Sequence, residues 1–151
     1  MICMGVNTAL RISDLLELKW GEVYDFNEQC FRKHMVICER KTGKESRIAI
    51  NGSTKKGLLT YMDTLDGVKK GDYIFTGRYA GTHLSRSQAF RIIKHAAYSL
   101  NMERGISCHS MRKTFGYYAW KCGTPPAMLM EIYNHSSYEI TLSLIHISEP
   151  T

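Results

Sequence analysis

The sequence predicts a mixed α+β fold, mostly helical, with one small antiparallel sheet built on a hairpin around residues 30–50. Apolar residues recur at helical spacing along most of the chain, and the period drops to two on either side of a Lys-Thr-Gly-Lys turn. Side-chain capping signals mark several helix starts. Taken in order, Ile12, Leu15, Leu16 and Trp20 form one face of a first helix. In "CFRKHMVICERKTGKESRIAIN", Met35 and Ile37 alternate with Val36 and Cys38, and Ile48 and Ile50 alternate with Arg47 and Ala49. Gly43 supplies the turn between the two runs. "GSTKKGLLTYMDTLD" reads as a helix entered through Ser53, and "DYIFTG" as a short strand or extended piece. The helix in "HLSRSQAFRIIKHAAYSLNM" opens with a Ser85–Gln88 capping box and turns Phe90, Ile93, Ala97 and Leu100 inward. "HSMRKTFGYYAWKCG" places Met111, Phe115, Tyr118 and Cys122 inward and stops at Gly123. Thr124 and Pro125 are N-cap and N1 signals for a helix that buries Leu129, Ile132 and Tyr133. Ser136 and Glu139 have capping-box spacing for a last helix.

A chain of 151 residues, 44% hydrophobic and 23% charged, fits one globular domain with room for a core. No apolar run approaches the ~18 residues that a membrane span needs, and the opening residues lack the pattern of a secretory signal. Five cysteines, odd in number and without a CxxC pair, suggest reduced thiols and a cytoplasmic setting. The formal charge of +6 weakly favours a polyanionic partner, so the placement of the cations matters more than their sum.

The polar residues that these elements leave over are cations or potential cations. His109 and Arg112, three apart on a helix, share a face other than that of Phe115 and Tyr118. Arg11 opens the first helix, Lys41 sits at the mouth of the hairpin turn, and His135 falls between two helices. No acidic cluster accompanies them, so two-metal phosphate chemistry has no ligands here. Two arginines can fork onto the non-bridging oxygens of a phosphodiester and stabilise the charge of its transition state. A lysine can protonate a leaving 5′ oxygen, and histidines can move protons near neutral pH. What this metal-free recipe lacks is a nucleophile.

"TALRISDLLELKW", "KTGK", "HSMRKTF" and "NHSS", in that order, resemble the catalytic domain of the tyrosine recombinases, also called phage integrases. The resemblance runs from about Gly5 to Leu142. It implies a helical catalytic core in which Arg11, Lys41, His109, Arg112 and His135 act on one phosphate. It also implies site-specific recombination or integration through a 3′-phosphotyrosine, with no metal and no cofactor. The implied partners are double-stranded DNA and, in the intact parent, further copies of the chain on that DNA. The implied setting is the cytoplasm of a bacterium, with a bacterial or phage gene and no membrane. Lys44, Arg86, Arg91, Lys94 and Lys113 are the candidate DNA-backbone contacts of the basic surface.

The sequence departs from the family pattern at several points. Ala9 stands where the family usually has Gly, Tyr133 to Ser136 replace "LGHS" or "LNHS", and Lys113 stands where many members have a second histidine. The family's tyrosine, in the form "TLRY" nine residues past the last histidine, is here Leu144 within Thr141-Leu142-Ser143-Leu144. The tail "LSLIHISEPT", Leu142 to Thr151, resembles the translation of a transposon-based sequencing adapter. The expected organisation is therefore an incomplete catalytic domain over residues 1–141, without its N-terminal DNA-clamping domain, followed by a foreign segment over 142–151. That segment is expected to pack loosely and to leave apolar surface of the preceding helix exposed. With Leu144 for Tyr, the chain is expected to be catalytically incompetent. Two other readings stand beside this one: a DNA-binding module without catalysis, and a metal or redox protein built on the cysteines. For the latter, Cys108, Cys122, His109 and His135 match no zinc-ligand spacing. Tyr138, three residues past His135, is a remote substitute nucleophile.

Overall fold

In the computed structural model, the described residues are 1–102 and 105–146, with side chains through Leu144. The first segment, α1 (Ile2–Thr8), ends on Ala9 in the left-handed conformation, φ 57°. That backbone is one glycine adopts without strain, and Ala9 adopts it here. Leu10, Ile12, Leu15, Leu16, Leu18, Trp20 and Val23 are then all buried, which no single helical face can achieve. The chain accordingly breaks into α2 (Ile12–Leu16) and α3 (Trp20–Val23), where the sequence predicts one continuous helix. At the break the backbone pairs with "DYIFTG": Ile74 N–H donates to the Leu18 carbonyl and Trp20 N–H to that of Asp72. Ile74 and Phe75 are thereby buried.

Two short antiparallel sheets follow, one more than expected. β1 (Tyr24–Asp25) pairs with β2 (Cys30–Phe31), and Asp25 accepts from the N–H groups of Asn27 and Glu28 in the turn between them. β3 (His34–Cys38) pairs with β4 (Glu45–Ala49) in the register Met35↔Ile48 and Ile37↔Ser46. Met35 and Ile37 are buried and their neighbours exposed, as the period of two demands.

α4 (Gly52–Met62) starts from Asn51, whose side chain accepts from Thr54 N–H, and not from Ser53. α5 (Arg86–Ser99) has the expected Ser85–Gln88 capping box, but its inward residues are Ala89, Ile93 and Ala97. Phe90 and Leu100 are exposed, because the buried stripe follows strict four-residue steps set by the two small alanines. In α6 (Cys108–Lys121) Met111, Arg112 and Gly116 are buried, whereas Tyr118 and Cys122 face solvent and Phe115 is half-buried. α7 (Pro126–Ile132) has Pro125 as its N-cap, one residue later than expected, and buries Leu129 and Tyr133 but leaves Ile132 partly exposed. α8 (Tyr138–His146) begins past Ser136, and Glu139 accepts from Ser137 Oγ.

The apolar side chains divide into a large core spanning α1 to α6 and a small one formed by Ala9, Leu129 and Tyr133. Phe115, Ala119, Trp120 and Leu144 pack against the small one. Leu142 and Leu144 are half-buried, Leu144 against the small cluster, whereas Ser143, Tyr138 and Ile140 of the same helix are exposed. The rest of the expected foreign segment, residues 147–151, lies outside the described residues. No helix among the described residues is long and apolar enough to cross a membrane.

Candidate active site

Each candidate cation is presented by a chain feature with a local cause. Arg11 is the N-cap residue of α2, in extended backbone between buried Leu10 and Ile12, so its side chain is turned away from the large core. Lys41 sits in the β3–β4 turn, which Gly43 closes at φ 67° and where Gly43 N–H donates to the Glu39 carbonyl at 2.7 Å. His109 is exposed in the first turn of α6, where Ser107 and Ser110 form a capping box. Arg11, Lys41 and His109, with Ile12, Ser13, Arg40 and Arg86, line a cleft of about 600 Å³.

Arg112 differs from the sequence-based picture of a residue on a helix's polar face, because it is 7% exposed. Its Nη2 donates to the Tyr133 carbonyl at 2.8 Å, and its guanidinium carbon lies 4.7 Å from the centre of the Tyr133 ring. Tyr133 Oη in turn donates to the Arg112 carbonyl at 2.6 Å. Burial, and then the Arg11 charge, push the Arg112 pKa down to about 10, so the group stays cationic at neutral pH. Burial pushes the Tyr133 phenol up.

His135 stacks on the same Tyr133 ring, 5.1 Å between centroids and 18° between planes. Its Nδ1 is hydrogen-bonded to Thr141 Oγ1 at 2.9 Å, and Thr141 is fully buried on α8. Burial and the charges of Arg112, Arg11 and Lys41 lower the His135 pKa, which leaves a neutral imidazole at pH 7. Arg11 and Lys41, which line the cleft, are among the charges that act on His135. Arg11, Lys41 and His109 share the cleft, and Arg112 and His135 share the Tyr133 ring.

Two acids that sequence reasoning missed lie beneath these cations. Glu39, 6% exposed, pairs with Arg11 Nη1 at 2.7 Å and accepts from Thr42 Oγ1, Ser46 Oγ and Asn134 Nδ2. Asp14, 5% exposed, accepts Arg40 N–H on Oδ1, and its Oδ2 has no hydrogen-bond partner among the described residues. A signal for Glu39 was present: it continues the alternation of Met35 and Ile37, on the buried face of β3. For Asp14 the signal is its place among buried Ile12, Leu15 and Leu16.

Among the remaining basic candidates, Arg86 and Arg91 line an adjoining hollow of about 480 Å³ with His109 and Cys108. Lys44 is exposed at the hairpin, Lys94 lies over the Phe90 ring of its own helix, and Lys113 is half-buried beside Arg112. Leu144 follows Thr141 by one turn of α8 and packs on the cluster containing Tyr133. Among the described residues no three His, Cys, Asp or Glu side chains are grouped to hold a metal ion, and the five cysteines are free thiols. A set of fixed and adjustable cations around an open cleft can hold a tetrahedral oxyanion and exchange protons with it.

Comparison with known proteins places this geometry in context. A model described as the phage integrase family matches residues 1–149. The chain is 36% identical over 151 residues to the probable integrase/recombinase YoeC of Bacillus subtilis (strain 168), covering all of this chain and 78% of that one. It is 23% identical over 146 residues to the tyrosine recombinase XerD of Halalkalibacterium halodurans, covering 94% of this chain and 46% of that protein. Among solved structures, the XerA recombinase superposes with a TM-score of 0.76 at 20% identity, over 95% of this chain and 51% of that one. The XerH recombinase bound to palindromic difH substrate superposes with a TM-score of 0.74 at 15% identity, over 96% of this chain and 40% of that one. The chain thus spans most of the Bacillus relative but about half or less of the other three.

Proposed function

Because the chain belongs to the phage integrase family, we propose that residues 1–141 form the catalytic core of a site-specific DNA recombinase, with Arg11, Lys41, His109, Arg112 and His135 as its phosphate-activating set. The observations that support this reading are the cleft lined by Arg11, Lys41 and His109 and, behind it, the Tyr133 ring on which Arg112 and His135 both rest. DNA as the partner draws support from the DNA-bound form of the XerH recombinase that shares the fold.

In this reading the guanidinium groups of Arg11 and Arg112 take the two non-bridging oxygens of a phosphodiester. A tyrosine hydroxyl attacks phosphorus and passes its proton to the neutral His135, the bond to the 5′ oxygen breaks, and Lys41 gives that oxygen a proton. The new bond is a 3′-phosphotyrosine, which keeps the energy for rejoining. His135, neutral and fixed through Nδ1 to Thr141, presents its other nitrogen to the phosphate, with His109 at the rim. Leu144 occupies the tyrosine's position on α8 and has no hydroxyl, so this chain grips a phosphate without cleaving beside it. The test is Leu144→Tyr, assayed on a nicked duplex taken from the DNA flanking the gene. It is expected to trap a covalent protein–DNA complex that Arg112→Ala abolishes. Salt-sensitive gel shifts with no trapping would support a DNA-binding module instead.

A further inference from the structure

We propose that Glu39 is a positioning residue of this site, holding Arg11, the Lys41 turn and the His135 junction in one register; the inference rests on the phosphate-binding reading above. Its carboxylate is 7% exposed and is shared between two pairs of donors. Oε2 accepts from Arg11 Nη1 at 2.7 Å and from Thr42 Oγ1 at 3.2 Å. Oε1 accepts from Ser46 Oγ at 3.1 Å and from Asn134 Nδ2 at 2.5 Å.

These partners belong to different parts of the chain. Arg11 is at the α1–α2 junction, Thr42 and Ser46 are in the hairpin, and Asn134 is at the α7–α8 junction. Thr42 is the neighbour of Lys41, and Asn134 is the neighbour of His135. One buried anion therefore fixes Arg11 directly and a residue adjacent to each of two others. A carboxylate suits this place because both its oxygens accept, whereas a glutamine would turn an NH2 group towards a ring of donors. Among the described residues Arg11 gives one guanidinium nitrogen, Nη1, to Glu39, and a guanidinium has further N–H donors to offer an incoming oxyanion. Glu39 is too deeply buried to be displaced by that oxyanion, so it acts as a brace from behind.

Electrostatics and positioning make opposite predictions for Glu39→Gln. Removing a negative charge from a cationic cleft should tighten anion binding, whereas removing the brace should weaken it. The experiment uses the full chain and thymidylyl-thymidine, which carries a single phosphodiester, read by NMR on the Arg11 guanidinium and His135 ring signals. A random-sequence duplex is measured in parallel by fluorescence anisotropy, and melting is followed by circular dichroism. Wild type is expected to respond at both signals. Glu39→Gln should bind the dinucleotide roughly tenfold more weakly, the loss of one charge-assisted contact. Its duplex affinity should stay within about twofold, because surface phosphate contacts dominate there. Glu39→Asp keeps the charge but shortens the reach, so it should weaken the dinucleotide as well, and it carries the test alone if the Gln variant does not fold. Equal or tighter dinucleotide binding by Glu39→Gln, wild-type behaviour by Glu39→Asp, or an equal loss on dinucleotide and duplex would each overturn the proposal while leaving the site reading intact. A wild-type chain that shows no response at Arg11 and His135 would sink the site reading, and this inference with it.

Discussion

Gly116 lies in the middle of α6, where the backbone is ordinary helix and alanine would normally be the better residue by about 1 kcal/mol. Here that gain should be reversed. A Cβ on Gly116 would overlap Tyr133 Oη and come within 3.1 Å of Cζ and 3.2 Å of Cε2. The tyrosine has no room to swing aside: it is fully buried, its hydroxyl is bonded to the Arg112 carbonyl, and its ring stacks on His135. Overpacking of this kind costs about 1–3 kcal/mol, and an oxygen restrained on both sides belongs near the upper end. Gly116→Ala should therefore lose about 1–2 kcal/mol net after the propensity gain. Urea denaturation of the full chain, followed by circular dichroism, measures it. Tyr133→Phe removes the overlapping oxygen and leaves only the two ring contacts, which a shift of a few tenths of an ångström relieves. In that background the cost of Gly116→Ala should fall by about 1 kcal/mol or more, a coupling that independent sites do not show. A Gly116→Ala protein as stable as wild type, or strict additivity in the double variant, would refute the packing argument. Since Tyr133 also supports Arg112 and His135, the same substitution should shift the His135 ring signals.

Other consequences can be tested separately. The His135 pKa is depressed by burial first and then by Arg112, Arg11 and Lys41, so the folded chain takes up this proton less readily than the unfolded one, whose ordinary value is 6.5. Its contribution to stability is full above that value and is lost as pH falls below it. His135→Gln should therefore lose less stability than wild type between about pH 7.5 and about pH 5.5, read from urea midpoints; equal losses would contradict the assignment. Arg86 lines both hollows, so Arg86→Ala should lower the salt slope of duplex binding by about 0.9, whereas Arg78→Ala, which lines neither, should not. An unchanged slope for Arg86→Ala would move the DNA face elsewhere.

Where a residue's role is set by local periodicity, the sequence was enough. The hairpin, its register and its turn follow from the alternation around Gly43, and α5 follows from Ser85 and Gln88. Misreadings came where tertiary demand overrode the local pattern. Leu18 had to be buried off the helical face, so the chain broke at Glu17 to Lys19 and recruited Asp72 to Ile74 as its partner. Ala89 lets α5 sit close, which rotates Phe90 out into solvent. In the candidate site, Arg11, Lys41, His109, Arg112 and His135 could be named because residue type and order single them out. Glu39 was not, since an acid on an inward strand position has meaning only when Arg11 and Asn134, distant in sequence, arrive beside it. Nor could spacing show that Arg112 is buried over Tyr133.

The division of the interior into a large and a small apolar cluster affects how the molecule opens. Tyr133, and through it Arg112 and His135, belong to the lesser of the two, together with Ala9, Leu129 and the adjoining face of α8. So small a cluster is held by little free energy and can come apart as a sub-global unit while the sheets and α1 to α5 stay folded. Arg112 and His135 thus rest on the smaller cluster, whereas Arg11 and Lys41 are carried by elements of the larger one. A ligand bridging Arg11 and Arg112 would stitch the two units together, so engagement of the substrate would also be an act of local folding.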